Sequence, residues 1–294
     1  MLTSLGLIFL LGLLMAAICQ KIHLPRIIGM LFTGIILGPY VLNLLDVSIL
    51  NISSQLRQIA LIIILLKAGL SLDLKDLKKV GRSAVMLSCV PATCELLAFV
   101  IFAPMILNIS RMDAAVMGAV LAAVSPAVVV PRMVHLMENG YGTEKSIPQM
   151  ILAGASCDDI YVIVLFSTFV GMAQGGHVNA LDFANIPVSI LTGVLFGALV
   201  GWLLGQLFEL LYRKGSYVRN SMKVIIIMGL AFLLMALETM LKEMVAFSGL
   251  LAVVSMACAL KMQTPKELAG RLSAKFGKLW LAAEVVLFVL VGAA

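Results

Sequence analysis

Charge is what this sequence has least of: Asp, Glu, Lys and Arg together make up 12% of it. A soluble domain of similar length carries about a quarter, so an ordinary soluble globular protein is excluded. Cysteine offers no other scaffold. Cys19, Cys89, Cys94, Cys157 and Cys258 all fall within or at the edges of apolar stretches, with neither metal-ligand spacing nor the pattern of a disulfide framework. The sequence also lacks a Walker loop, a zinc motif, a Gly-rich dinucleotide turn and a catalytic triad pattern. Their absence argues against an ATP-driven pump and against an enzyme, and no cofactor is expected. No Lys or Arg precedes the first apolar stretch, Leu2–Cys19, which therefore reads as a spanning helix and not as a cleaved signal peptide.

What is there is hydrophobic. Of the 294 residues, 62% are apolar and the mean hydropathy is +1.11. A helix that crosses a bilayer needs about 20 mostly apolar residues. Runs of that kind occupy 2–19, 27–45, 56–72, 84–107, 113–136, 149–173, 185–212, 221–240, 244–262 and 279–294. Short connections, and the need to satisfy every backbone group inside lipid, favour helices over a barrel. The expected fold class is therefore all-α, a polytopic membrane protein of about ten spanning helices.

The basic residues test that division independently. Seventeen Lys and Arg fall after odd-numbered runs, from Lys21 and Arg26 to the group Lys261, Lys266, Arg271, Lys275 and Lys278. Three fall after even-numbered runs: Arg57, Arg111 and Lys242. Missing one run in mid-chain would destroy this asymmetry. By the positive-inside rule the odd loops are cytoplasmic and the N-terminus is outside. The net charge of +6 then reflects topology and not a nucleic-acid partner. The last run stops while still strongly apolar, so the chain reads as continuing beyond Ala294.

Two adjacent acids interrupt the sixth run. Asp158 and Asp159 lie in QMILAGASCDDIYVIVLFSTFVGMA with no basic residue inside it. A charge at membrane depth costs roughly 2.5–3.5 kcal/mol and faces a protein interior or a wet cavity. Successive helical residues point about 100° apart, so the two carboxyls face different surroundings while titrating as a coupled pair. A carboxylate of this kind holds a proton or a hard cation such as Na⁺ or Li⁺, but not both. That competition is the physical basis of exchange.

The fifth run carries Ser125-Pro126 near its middle and Pro131 shortly after. Proline removes a backbone donor and clashes with the preceding turn, so the helix is expected to kink or unwind there. Unwound backbone at membrane depth must line a cavity or be buried in protein, and broken helices supply ion sites in secondary transporters. Glu95 in the fourth run is a further intramembrane acid, either an accessory member of the site or the partner of a basic residue elsewhere. Glu284 is similar with less support. Lys67 can snorkel to the interface, Glu209 and Glu238 sit at span ends, and the 18 methionines are scattered packing residues.

These segments resemble a known group. Val124–Pro131 (VSPAVVVP), Gly140-Tyr141-Gly142 with Glu144-Lys145, and Ala155–Ile160 (ASCDDI) are similar to the sodium/hydrogen exchanger family, more narrowly to the NHA-type branch of the monovalent cation:proton antiporter-2 group. Lys67–Asp73 (KAGLSLD), Pro91–Glu95 (PATCE) and Leu287–Ala293 (LFVLVGA) add to the likeness, which runs along nearly the whole chain. It implies one exchanger transmembrane domain over 1–294, of inverted-repeat antiporter fold, with core and dimerisation helices interleaved and a homodimer as the assembly. It implies that Asp159 alternately carries the cation and the proton. Asp158 would pair with a Lys or Arg on a later core helix. Ser125-Pro126 would belong to the first of two crossed broken helices, and Glu95 to an acid that pairs with an arginine in some relatives. About three further helices, including the second broken one, would lie beyond Ala294.

The resulting expectation is a plasma-membrane antiporter exchanging Na⁺ or Li⁺, with K⁺ as a third candidate, for H⁺ by alternating access. Rival readings are a cation channel or K⁺-efflux protein, and a fragment that does not transport. An intramembrane aspartyl protease is disfavoured, because its two acids must converge from different helices, whereas these are sequence neighbours.

Overall fold

The computed structural model describes residues 1–71, 74–173, 180–213, 218–241 and 245–294, excepting side chains at 74–80, 126–127, 156–157, 159–160, 163–164, 167, 171, 180–186 and 266. Asp73, Lys75, Lys78, Lys79, Cys157, Lys214, Lys242 and Lys266 lie, wholly or in their side chains, outside that description, as do the side chains of Pro126 and Asp159. Among the described residues every regular element is a helix: α1 (Leu2–Lys21), α2 (Arg26–Leu37), α3 (Val47–Asn51), α4 (Ser53–Ser71), α5 (Leu74–Leu107), α6 (Arg111–Leu121), α7 (Pro126–Glu138), α8 (Ile147–Ala173), α9 (Ala180–Arg213), α10 (Asn220–Leu241), α11 (Gly249–Gln263) and α12 (Lys266–Ala293). Six described stretches are long and apolar enough to cross a membrane, in α1, α4, α5, α9, α10 and α12.

Helix ends follow local chemistry more than hydropathy. The second apolar run stops being helical at Leu37, well before residue 45, because Gly38 is followed by Pro39. The residue before a proline is driven out of helical backbone. Ser248 opens α11, its hydroxyl accepting from the Leu251 N–H at 3.3 Å, which moves the start past residue 244. The helices α5 and α12 begin about ten residues before their apolar runs, over the basic stretches 74–83 and 266–278. Hydropathy marks where lipid begins and does not mark where the helix does.

The chain forms two compact units, residues 1–64 with 274–294, and residues 65–273. In the first, α1, α2 and the end of α12 approach through small residues. A Cβ on Gly29 would strike the backbone of Met15, one on Gly34 the backbone of Val289, and one on Gly292 the backbone of Leu31. Without a hydrophobic drive between helices in lipid, such close backbone approach supplies the packing. Asp46 closes the α2–α3 connection, capping α3 through the Ser48 N–H at 2.8 Å.

The second unit contains the same device in longer form. Gly193, Gly197, Gly201 and Gly205 recur every fourth residue along α9 and so share one face. Cβ atoms on the first three would collide with the backbone of Ser248, Ala252 and Met256 in turn, and one on Gly205 with the Gln263 side chain. The helix α11 is correspondingly buried along most of its length. At one end of this unit the Lys67 ammonium lies 3.4 Å from Glu138, and the Lys261 ammonium donates to the Ser71 carbonyl at 3.0 Å. Lys67, read from the sequence as a snorkelling side chain, reaches a half-exposed glutamate at the end of α7.

Replacing Gly197 with Val is expected to lower the thermal unfolding temperature of detergent-solubilised protein, by an overpacking penalty of about 1–3 kcal/mol. Gly229→Ala, on α10 where a Cβ meets nothing within 4 Å, serves as the control and is expected to leave that temperature unchanged or raise it. Equal effects of the two substitutions would refute the packing role of the glycine row.

Candidate functional site

The interruption between α6 and α7 builds the site. Helix α6 starts with a strong cap, the Ser110 hydroxyl accepting from the Asp113 N–H at 3.0 Å. It ends at Ala122, and the backbone through Ser125 is not helical. Pro126 is the first residue of α7, a position where a missing N–H and a fixed φ cost nothing. The break therefore falls where Ser125-Pro126 predicts it. Pro131, by contrast, sits inside α7, which runs unbroken past it to Glu138.

Helix α8 runs past this break and presents Asp158 to it. The Asp158 side chain is 3% exposed, and its Oδ2 accepts a hydrogen bond from the Val124 backbone N–H at 2.8 Å. That N–H is free to donate only because the helix has unwound: in a continuous helix it would bind the carbonyl four residues back. A carboxylate accepting from a backbone amide makes a strong, short, charge-assisted bond. Among the described residues no Lys or Arg forms an ion pair with Asp158. The nearby charge it senses is another acid, Glu95 on α5.

The structure thus brings together Asp158, the 122–125 break and Glu95. Glu95 is exposed on α5. Ser125 is exposed at the entry to α7, and its hydroxyl does not cap that helix. Asp159 follows Asp158 within α8, and its carboxyl lies outside the described residues. So does the ring of Pro126.

Sequence reasoning missed a polar tie beside this site. One turn after Asp158, the Tyr161 hydroxyl meets the Thr93 hydroxyl of α5 at 2.7 Å, and the Thr93 hydroxyl donates to the Cys89 carbonyl at 2.7 Å. Tyr161 also packs against two small apolar clusters, Ala92, Ala122 and Val162, and next to them Leu96, Ala119 and Leu165. These layers order α6 antiparallel to α5 and α8, as alternate spans require. A Thr and a Tyr in apolar runs carry no motif, so only their spatial meeting identifies them. Glu238 was also passed over as a span-end acid. It accepts from the Gly249 N–H and so caps the start of α11.

The turn from α7 to α8 explains the glycines of Gly140-Tyr141-Gly142. Gly140 and Gly142 have φ of 77° and 68°, left-handed backbone that other residues adopt at a cost.

The chain and its fold are similar to known proteins. The family described as "Sodium/hydrogen exchanger, transmembrane" matches residues 6–294. Sodium/hydrogen exchanger 9B1 of Homo sapiens is 38% identical over 179 residues, covering 58% of this chain and 34% of that protein. Sodium/hydrogen exchanger 9B2 of Bison bison bison is 41% identical over 152 residues, covering 51% of this chain and 28% of its own length. The chain thus spans about a third of the length of the curated relatives it matches. Among solved structures, the sodium proton antiporter MjNhaP1 from Methanocaldococcus jannaschii at pH 8 superposes with a TM-score of 0.72 at 24% identity, over 98% of this chain and 69% of its own. The fold is that of an antiporter of this kind.

The Val124–Asp158 bond predicts an ordered loss of stability. Asp158→Asn keeps an acceptor and is expected to destabilise less than Asp158→Ala, which removes a hydrogen bond to a charged group at about 1.5–3 kcal/mol. Thermal unfolding in detergent checks the order, and an Ala variant as stable as wild type would show that the bond contributes nothing.

Proposed function

This chain belongs to the sodium/hydrogen exchanger family, and from that premise we propose that it is the ion-carrying part of a secondary antiporter. It exchanges Na⁺ or Li⁺, with K⁺ as a further candidate, for H⁺ across the plasma membrane by alternating access. The observation that carries the proposal is the buried Asp158 carboxylate held against an unwound segment between two half-helices. An acid at this depth without a basic partner among the described residues holds its charge at a cost. The cost falls when a proton or a cation neutralises the pair.

The two aspartates divide the work. Asp158 is anchored by the Val124 N–H and keeps the break in place. Asp159, the next residue on the helix and about 100° round it, binds the travelling ion. A bare cation needs several oxygen ligands, and Ser125 and Pro126 line the cavity that holds it. Protonating Asp159 removes its charge and releases the cation, so the site carries one or the other. Glu95 adds negative potential that favours cations over anions. The NHA-type branch is the subgroup we favour, on SPAVVVP combined with the mid-span aspartate pair. The basic loops favour an N-terminus outside with the odd loops cytoplasmic, and the family resemblance favours a homodimer.

The test uses everted membrane vesicles carrying the full-length protein, with pH and cation content followed together. Wild type is expected to move protons when Na⁺ or Li⁺ is added, and Asp159→Asn to abolish that movement. An Asp159→Asn variant that exchanges like wild type refutes the carrier role. Cation flux without proportionate proton movement would favour a channel.

A further inference from the structure

The tie between α5 and α8 does more than pack two helices. A hydroxyl has a single proton. Thr93 spends it on the Cys89 carbonyl at 2.7 Å, so across its 2.7 Å contact with Tyr161 the Thr93 oxygen is the acceptor and the Tyr161 phenol the donor. The chain of bonds runs in one direction, from Tyr161 to Thr93 to Cys89. It ends on a helical carbonyl that is itself fixed by α5.

Tyr161 stands at a junction of three helices. It is on α8, one turn from Asp158, and residues three apart on a helix are neighbours on its surface. Its hydroxyl grips α5, while its ring packs against the cluster containing Ala122, the residue at which α6 ends. Two residues beyond Ala122 is Val124, whose N–H holds Asp158. The break, the carboxylate and the tie thus close a small loop of contacts. Shifting α8 along α5 would move Asp158 away from the Val124 N–H, and a hydrogen bond weakens steeply with such displacement.

We infer that Tyr161 and Thr93 are positioning residues: their hydroxyl pair sets the register of α8 against α5 and so seats Asp158 on the Val124 amide. Neither touches the travelling ion. Its functional arm rests on the exchange reading above, whereas its structural arm does not.

The experiment compares Tyr161→Phe, Thr93→Val and Thr93→Ser in the full-length protein. Thr93→Val also strands the Tyr161 hydroxyl, so it is expected to be the more severe, and Thr93→Ser, which keeps the oxygen, to restore wild-type behaviour. The structural readout is the infrared carboxylate band of Asp158, identified by its disappearance in Asp158→Asn. It is expected to shift in Tyr161→Phe and Thr93→Val and to return in Thr93→Ser. The functional readout is Na⁺-driven exchange, in which KM for Na⁺ is expected to rise about three- to tenfold with kcat little changed. An Asp158 band identical in all the folded variants overturns the inference, whatever transport does. An Asp158 band that shifts as expected, in a wild-type protein that moves no protons, upholds the inference and refutes the exchange reading instead. Should Thr93→Val fail to fold, Tyr161→Phe, which removes a single oxygen and leaves the ring, decides alone.

Discussion

One hydrogen bond organises the centre of this protein: the Val124 N–H donated to the buried Asp158 carboxylate. Each partner is costly alone. A backbone amide freed from a helix lacks its usual acceptor, and an aspartate in an apolar span lacks a counter-charge. Together they offset one another, through the bond that joins the break to α8. This is why a helix interrupted by Ser125-Pro126 and a helix bearing an aspartate pair pack side by side.

The surrounding packing serves that arrangement with few specific interactions. Alanines at 92, 119 and 122 let α5, α6 and α8 come close around Tyr161. Farther away, the glycine row of α9 receives α11. Polar groups are used sparingly, at ends and seams: Glu238 caps α11, Lys261 covers the last turn of α4, and Lys67 reaches Glu138 at the end of α7. The last of these ties the second half-helix of the broken pair to α4, so motion of that half-helix must stretch an ion pair.

Much of this was legible in the sequence. Each apolar run contains a helix, the fifth two, with the break at the Ser125-Pro126 dipeptide. That Asp158 is buried and meets the break is what an acid in an apolar run facing a broken helix leads one to expect. Pro131 misled, since a proline can be accommodated inside a helix whose neighbours re-satisfy the freed carbonyl. Helix ends departed from the apolar runs in both directions, α5 and α12 starting before them and α2 and α11 falling short. Thr93, Tyr161 and the Glu238 cap were invisible, because their roles arise from partners 68 residues away, or from another helix's first turn, and no local pattern encodes such meetings.

The central claim is that one acidic site takes a cation or a proton and never both. The most direct measurement is proton release into weakly buffered solution when Na⁺ or Li⁺ is added to the purified full-length protein in detergent. The account predicts that protons appear in proportion to cation bound, and that Asp159→Asn abolishes the release. Cation binding with no proton released, at any pH across the titration of the aspartate pair, would contradict it.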